Sequence, residues 1–478
     1  MKVRSRLVAR GLLPAVLLLA LAVWGPGCAA QPPARHVVLI TIDGFPAWLL
    51  DDPRLCMPTL RRLMQQGAVV KSVRATNPSI TWPTHTSIAT GCRSDRHGVL
   101  LNGIITRQGP NLPVKVEPSR DRRELVKVPT LYDAVHKAGL TTADINWPCT
   151  RSADTLDDSL PDAPLAVARA TPRLRKELIE AGILPDQTDA AFMRMGQVAR
   201  DEAWTSAACH VIRARKPNLL LFHLLNVDAL HHAHGPGSWA GLTALAYADT
   251  CLQRILEAMD EAGIRDSATV IVMADHGFTA TPKSLRPNVL LRQAGLLTAT
   301  PAGKIESCRV HVLSGGGVGL VYATAEKGGA EDLQKARHLL QGKEGIAEII
   351  EPARYGEYHF PTPQENPQMA DLVLVAKDGY AFNDSAAGEQ AVVSSYETRG
   401  SLGYHGHVAS LSKMSVPLVM CGAGVKAGAR IEQAELIDVA PTVARLLGAA
   451  MDKVQGRVLD ELLAVPAART ARTGKPGE

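Results

Sequence analysis

Three apolar runs set the rhythm of the chain, and each of them stops at an acid. His36-Val37-Val38-Leu39-Ile40-Thr41-Ile42 ends at Asp43-Gly44, the run from Asn218 to Leu225 leads into Asn226-Val227-Asp228, and Ala268-Thr269-Val270-Ile271-Val272-Met273-Ala274 ends at Asp275-His276-Gly277. Runs of this length, apolar or β-branched at nearly every position, are those of strands buried on both faces of a sheet. Helical patterns lie between and around them: 58–66 before Gly67, 129–137 before Gly139, 172–181, 198–215, 242–262 before Gly263, and 438–447 before Gly448. Further strands are expected at 68–76, 142–146 and 416–421. Strands alternating with helices predict an α/β fold with a mostly parallel central sheet and helices on both faces, in which ligands bind outside the carboxyl ends of the strands. Three strands that each bring a carboxylate to that edge predict one acidic site containing Asp43, Asp228 and Asp275.

After about Lys283 the texture changes. Strands are expected at 308–324, 347–351 and 370–376 with a helix at 330–340 between them, which reads as a smaller α+β insertion over 284–399 that caps a core of 36–283 and 400–462. Residues 464–478 are small and polar and read as a disordered tail. At the other end, Lys2, Arg4, Arg6 and Arg10 precede the apolar stretch 11–23, and Gly25-Pro26-Gly27-Cys28-Ala29-Ala30 follows it. That is the layout of an export signal over 1–30, with an apolar part too short to span a membrane. Lipidation of Cys28 and cleavage after Ala30 are both open, so the expected product is periplasmic, membrane-anchored or extracellular.

Removing those four basic residues takes the formal charge from +5 to +1. The mature chain then has no net basic field with which to gather a nucleic-acid polymer. Seven cysteines beyond Cys28 are scattered without a C-x-x-C pair, so a thiolate metal site is not expected and the pairing of an odd number is left undetermined.

Two stretches carry candidate chemistry. Asn77-Pro78-Ser79-Ile80-Thr81-Trp82-Pro83-Thr84-His85, followed by a small-residue run to Gly91, puts Thr81 at a helix N-terminus, where an anion is favoured. Taken alone it is also an ordinary cap or turn. Asp228-Ala229-Leu230-His231-His232-Ala233-His234 crowds one carboxylate and three imidazoles into seven residues. Such a cluster suits a zinc-class ion, and with Asp275-His276 and His405 or His407 the chain offers oxygen and nitrogen donors from four distant segments.

These residues resemble the nucleotide pyrophosphatase/phosphodiesterase branch of the alkaline phosphatase superfamily. The resemblance runs through Ile40-Thr41-Ile42-Asp43-Gly44, Asn77 to Pro83, Thr90-Gly91, His97-Gly98 with Asn102, Trp147-Pro148, Asp228 to Pro236, Asp275-His276-Gly277 and His405-Gly406. It implies an alkaline phosphatase-like fold, two Zn2+ ions and a nucleophile at Thr81. One ion is then held by Asp43, Asp275 and His276 with Thr81 as reactive ligand, the other by Asp228, His232 and His405, with His407 as the fallback. His232 matches the family's spacing from Asp228, although Leu230-His231 departs from its usual residue-Gly pair.

The resemblance further implies hydrolysis of phosphodiester or nucleotide pyrophosphate bonds through a phosphothreonine intermediate, with Asn102 donating to a phosphoryl oxygen. Trp82 and Trp147 are then candidate substrate contacts. Trp82 stands where similar enzymes carry Phe, as a platform for a leaving group or nucleotide base, the other reading being that it packs in the core. A phosphomonoesterase or phosphonate hydrolase on the same bimetal frame is the main alternative, and a catalytically inactive metal-binding protein the remote one. A sulfatase is not expected, because Thr81-Trp82-Pro83-Thr84-His85 lacks the Cys/Ser-x-Pro-x-Arg pattern of those enzymes.

Overall fold

The eight-stranded central sheet owes its shape to the three acid-ended runs, which lie side by side at its middle. In the computed structural model, which describes residues 34–185, 188–398 and 400–464, the strand order is Arg430–Glu435, Ala68–Arg74, Val416–Gly422, Ala268–Met273, His36–Ile42, Leu219–Leu224, Thr142–Ile145 and Asp158–Leu160. The expected export signal, and all but the first residue of the expected tail, lie outside the described residues. Every neighbouring pair is parallel except that Val416–Gly422 runs against both of its neighbours. Ile42 pairs with Leu224 and Thr41 with Met273, so the carboxyl ends of the three central strands fall level. All three are buried along nearly their whole length.

Helices cover the sheet in two groups. Trp239–Glu261 packs on Gln197–Arg215 and on Pro58–Gln66, while Val439–Leu447 packs on Leu131–Lys137 and Thr81–Thr90. Pro58 at the first position and Gly67 just past the end bound one helix as the sequence predicts. The Thr81–Thr90 helix is polar in sequence, yet nine of its ten residues are buried. Its threonines solve this by turning their hydroxyls back on the helix: Thr84 donates to the Ile80 carbonyl, Thr86 to Trp82 and Thr90 to Thr86. Thr81 alone is half-exposed.

Three elements differ from expectation. Residues 308–324 are not one strand but a hairpin, Val310–Ser314 against Val318–Ala323, because Gly315-Gly316-Gly317 makes the turn, with Gly316 at φ +75°. Arg430–Glu435 is an edge strand whose charged exposed positions hide it from a search for apolar runs. Asn226–His234, which carries the histidine cluster, is a helix that begins almost where the Leu219–Leu224 strand stops.

Within 284–399 the hairpin joins Leu372–Ala376 and Ile346–Ile350 in an antiparallel sheet with the Gly329–Leu340 helix alongside. Its core includes Ile80 and Leu101, so it packs directly on the approach to Thr81. The described residues belong to one compact unit. Among them no cysteine is paired, and no helix is long and apolar enough to cross a membrane.

Candidate active site

Asp43 follows its strand directly and Asp275 follows the neighbouring strand after one residue, so the level strand ends set the two carboxylates together. The Gly44 N–H donates to Asp275 Oδ1 at 3.1 Å. Gly44 has φ +67°, and a Cβ there would stand 2.7 Å from the Phe278 ring, so the turn that aims Asp43 needs glycine. His276 Nε2 lies 3.2 Å from both Asp43 Oδ1 and Asp275 Oδ2. Thr81 Oγ1 is 3.3 Å from the same nitrogen. This deep group is sealed: the side chains of Asp43, Asp275 and His276 are at most 1% exposed.

A second group forms the rim. On the Asn226–His234 helix, Asp228 and His232 are four residues apart and therefore share a face, with His232 Nε2 3.5 Å from Asp228 Oδ1. His405, from the segment that returns after 284–399, puts Nε2 3.6 Å from the same oxygen. Its ring stacks on His276 at 3.7 Å between centroids, and His276 comes within 4.8 Å of donor atoms in both groups. Asp201 fixes the start of this helix by accepting the N–H groups of Leu225 and Asn226 at 2.9 and 3.0 Å.

The donor chemistry fits cations. His232, His276 and His405 each give their Nδ1–H to a backbone carbonyl, of Gly403, Gly277 and Ser79 respectively, which leaves each Nε2 lone pair facing the site. Burial drives the pKa of His276 and His405 well below the ordinary imidazole value, so both are neutral donors. Both oxygens of Asp43, Oδ1 of Asp228 and Oδ2 of Asp275 are buried without a hydrogen-bond partner among the described residues. Burial, and for Asp43 and Asp275 their carboxylate neighbours, raise the pKa of all three acids. Partnerless buried carboxylates beside free imidazole lone pairs are what divalent cations of the zinc class complete.

The other members of the histidine cluster go elsewhere. His231 is wholly buried and gives Nδ1–H to the Gly44 carbonyl at 3.0 Å, and His234 is exposed. His407 points away from the site, donating Nε2–H to the Tyr380 carbonyl at 3.0 Å. Asn102 is exposed beside the Thr81–Thr90 helix, its Oδ1 accepting the Trp82 N–H at 2.9 Å. The two tryptophans differ from the expectation of substrate-facing rings. Trp82 is 5% exposed and packs with Val99, Leu125, Val126 and Cys149, and Trp147 is wholly buried against His85. The Thr81–Thr90 helix turns the Trp82 ring inward, and Trp147 is buried just past the end of the Thr142–Ile145 strand. Sequence reasoning passed over Thr41, His85, His223 and Asp201; for Thr41 and His223 the available signal was a polar residue inside an apolar strand.

Nitrogen and oxygen donors in two groups around a partly exposed threonine hydroxyl, at the carboxyl edge of an α/β sheet, form a candidate metal site beside a hydroxyl. Residues 37–406 match the family model for Type I phosphodiesterase / nucleotide pyrophosphatase, and the chain belongs to that family, a branch of the alkaline phosphatase superfamily. Venom phosphodiesterase 2 of Crotalus adamanteus is 25% identical over 251 residues, 52% of this chain and 28% of that protein. Ectonucleotide pyrophosphatase/phosphodiesterase family member 1 of Mus musculus is 22% identical over 428 residues, 88% of this chain and 42% of the relative. The chain thus spans less than half the length of these curated relatives. Among solved structures, human ectonucleotide pyrophosphatase/phosphodiesterase 5 superposes with a TM-score of 0.68 at 16% identity, over 90% of this chain and 99% of that one. The murine counterpart, an inactive form in complex with AMP, gives 0.67 at 15% identity over 90% and 100%. Both share the fold.

Proposed function

We propose that the protein is an exported hydrolase of phosphodiester or nucleotide pyrophosphate bonds that works through a covalent phosphothreonine at Thr81. The observation that supports it most is the convergence of Asp43, Asp275, His276 and Thr81 Oγ1 on one sealed corner, with Asp228, His232 and His405 beside it. In this reading Asp43, Asp275, His276 and Thr81 hold one Zn2+, and Asp228, His232 and His405 hold the other. When bound, the two ions lower the pKa of a coordinated hydroxyl and offset the negative charge of phosphoryl oxygens.

The chain's own residues do the rest. Thr81 Oγ1 attacks phosphorus from the N-terminus of its helix, the alcohol or phosphate leaving group departs on the far side taking up a proton, and water then releases the remaining phosphomonoester from Thr81 and restores its hydroxyl. Asn102, anchored through Oδ1 to the Trp82 N–H, donates from its amide nitrogen to a phosphoryl oxygen. AMP in the murine structural neighbour supports a nucleotide among the substrates, and the secreted or cell-surface character in the relatives' names supports export. The test is a panel of nucleotide pyrophosphates, phosphodiesters, monoesters and phosphonates on zinc-loaded protein. Diesters or pyrophosphates are expected to lead, and Thr81→Ala is expected to lower their turnover on the order of 10⁴-fold or more while both ions stay bound. Preference for monoesters, or near-normal turnover by Thr81→Ala, overturns the reading.

A further inference from the structure

Behind the metal-facing side chains lies a layer of polar groups that this reaction does not use. Thr41 and His85 are fully buried and His223 nearly so. His85 reaches back along its own helix, and its Nδ1–H donates to the Thr81 carbonyl oxygen at 2.8 Å while lying 3.5 Å from Asp275 Oδ2. Its other nitrogen, Nε2, is 2.9 Å from Thr41 Oγ1, and the same hydroxyl is 3.0 Å from Nδ1 of His223. His223 Nε2 then faces Asp43 Oδ2 at 3.3 Å, on the side of the carboxylate opposed to Oδ1, which faces His276. The hydrogen-bonded groups run from the backbone of Thr81 to the His223 ring, whose Nε2 stands against the far oxygen of Asp43 without a hydrogen bond to it. The His85 ring meets those of Trp147 and His223 edge-on at 4.8 and 4.4 Å, so its orientation is also fixed by packing.

Thr41 is the hinge of this line. Because His85 gives Nδ1–H to the Thr81 carbonyl, its neutral ring presents a lone pair at Nε2, so the Thr41 hydroxyl donates to His85 and accepts Nδ1–H from His223. Its position is a buried one near the carboxyl end of an apolar strand, where valine would satisfy both shape and strand propensity. The hydroxyl is therefore a choice that backbone and packing do not require. Removing it takes a partner from two buried imidazoles at once, and polar networks of this kind act as units.

We propose that Thr41, His85 and His223 are positioning residues that hold the Thr81 end of its helix in register with the strand ends that carry Asp43. The inference rests on the reading of Thr81 as nucleophile and Asp43 as ligand. No reacting atom touches these three side chains; what they fix is the placement of one reacting group relative to the other.

Thr41→Val removes the hydroxyl at nearly constant volume, and Thr41→Ser restores it. In Thr41→Val, kcat on a chromogenic phosphodiester is expected to fall about 10- to 100-fold with KM changed by less than about threefold, and zinc affinity in chelator competition to weaken about 10- to 100-fold. The imidazole nitrogen resonances of both His85 and His223 should shift in the zinc-free protein, and Thr41→Ser should return all these readouts toward the parent. Parental kcat and zinc affinity in Thr41→Val overturn the proposal, as does equal impairment of the Val and Ser variants, which would mean packing alone. His223→Leu cuts the line at its other end and carries the same expectation for zinc affinity, so an unchanged affinity there overturns it even if Thr41→Val does not fold. Turnover by Thr81→Ala would sink the proposed reaction, whereas the affinity and resonance readouts would still decide the positioning line.

Discussion

The deep half of the site and its rim are built on different principles. Asp43, Asp275 and His276 come from the ends of two neighbouring parallel strands and are at most 1% exposed. Asp228, His232 and His405 come from a short helix and from a segment that returns far along the chain, and they are 13 to 24% exposed. A strand end inside a sheet cannot move without its neighbours, so the deep donors are preorganised by the same hydrogen bonds that make the sheet. The rim depends on a helix start held by Asp201 and on two backbone carbonyls, Gly403 and Ser79, that orient the imidazoles. Preorganisation at the floor and a more exposed lip suit the proposed reading, in which the floor holds one ion and the rim faces the substrate.

The sharpest way to break this comparison is to cut one ligand from each half. Asp275→Asn should remove the deep ion and lower turnover by about 10³-fold or more, because it leaves Asp43 and His276 facing each other in a sealed corner. Asp228→Asn should remove only the rim ion, taking zinc from about two to about one per chain, with a loss of about 10²- to 10³-fold in kcat. Elemental analysis with single-turnover kinetics checks both. Equal and simultaneous loss of both ions from either variant would mean that the halves are one cooperative site, not a floor and a rim.

A smaller effect probes the rim's anchor through pH. Burial raises the Asp201 carboxyl to about 7, against the lowering pull of the Leu225 and Asn226 N–H groups. An acid whose folded pKa lies above its unfolded value near 3.9 binds more protons in the folded state between the two. Its contribution to stability is therefore greatest below about pH 4, declines as pH rises toward 7, and is level above that, with a slope of up to about 1.4 kcal/mol per pH unit. Asp201→Asn does not titrate, so its stability relative to the parent should rise across that window. Chemical denaturation at several pH values measures this; parallel curves for parent and variant would show that Asp201 does not titrate there.

The same contrast explains what was legible in the sequence. Buried parallel strands announce themselves as apolar runs, so the three central strands, their carboxylates and their common edge could be read from residue order, whereas the edge strands Arg430–Glu435 and Asp158–Leu160 could not. The rim could be named but not shaped: nothing in Asp228-Ala229-Leu230-His231-His232 says that the strand gives way to a helix at once, and it is the helical turn that sends His231 to the Gly44 carbonyl and His232 to Asp228. His405 and His407 are two residues apart in sequence, and only the packing of Tyr380 from 284–399 separates their roles. Thr41, His85 and His223 are easily overlooked for the opposite reason, since each is embedded in a motif or strand already accounted for by something else.

Trp82 gives the smallest expected effect on substrate selectivity. It adjoins Thr81, so an aromatic platform for a base was a reasonable expectation, but on the Thr81–Thr90 helix consecutive side chains diverge and the one after Thr81 enters the interior. Its ring lies among Val99, Leu125, Val126 and Cys149 with the Arg151 guanidinium 5.9 Å from its centroid, leaving no open face for a base. Trp82→Ala should therefore destabilise the protein by roughly 3–5 kcal/mol, as truncation of a buried tryptophan does. Whatever turnover remains at a temperature where the variant is folded should fall by the same factor, within about threefold, for a nucleotide substrate and for a small diester without an aromatic group. Base stacking would instead predict a selective loss of about 10- to 100-fold on the nucleotide. A selective loss of that size with an unchanged melting temperature would return Trp82 to the substrate side and require the helix start to open when substrate binds.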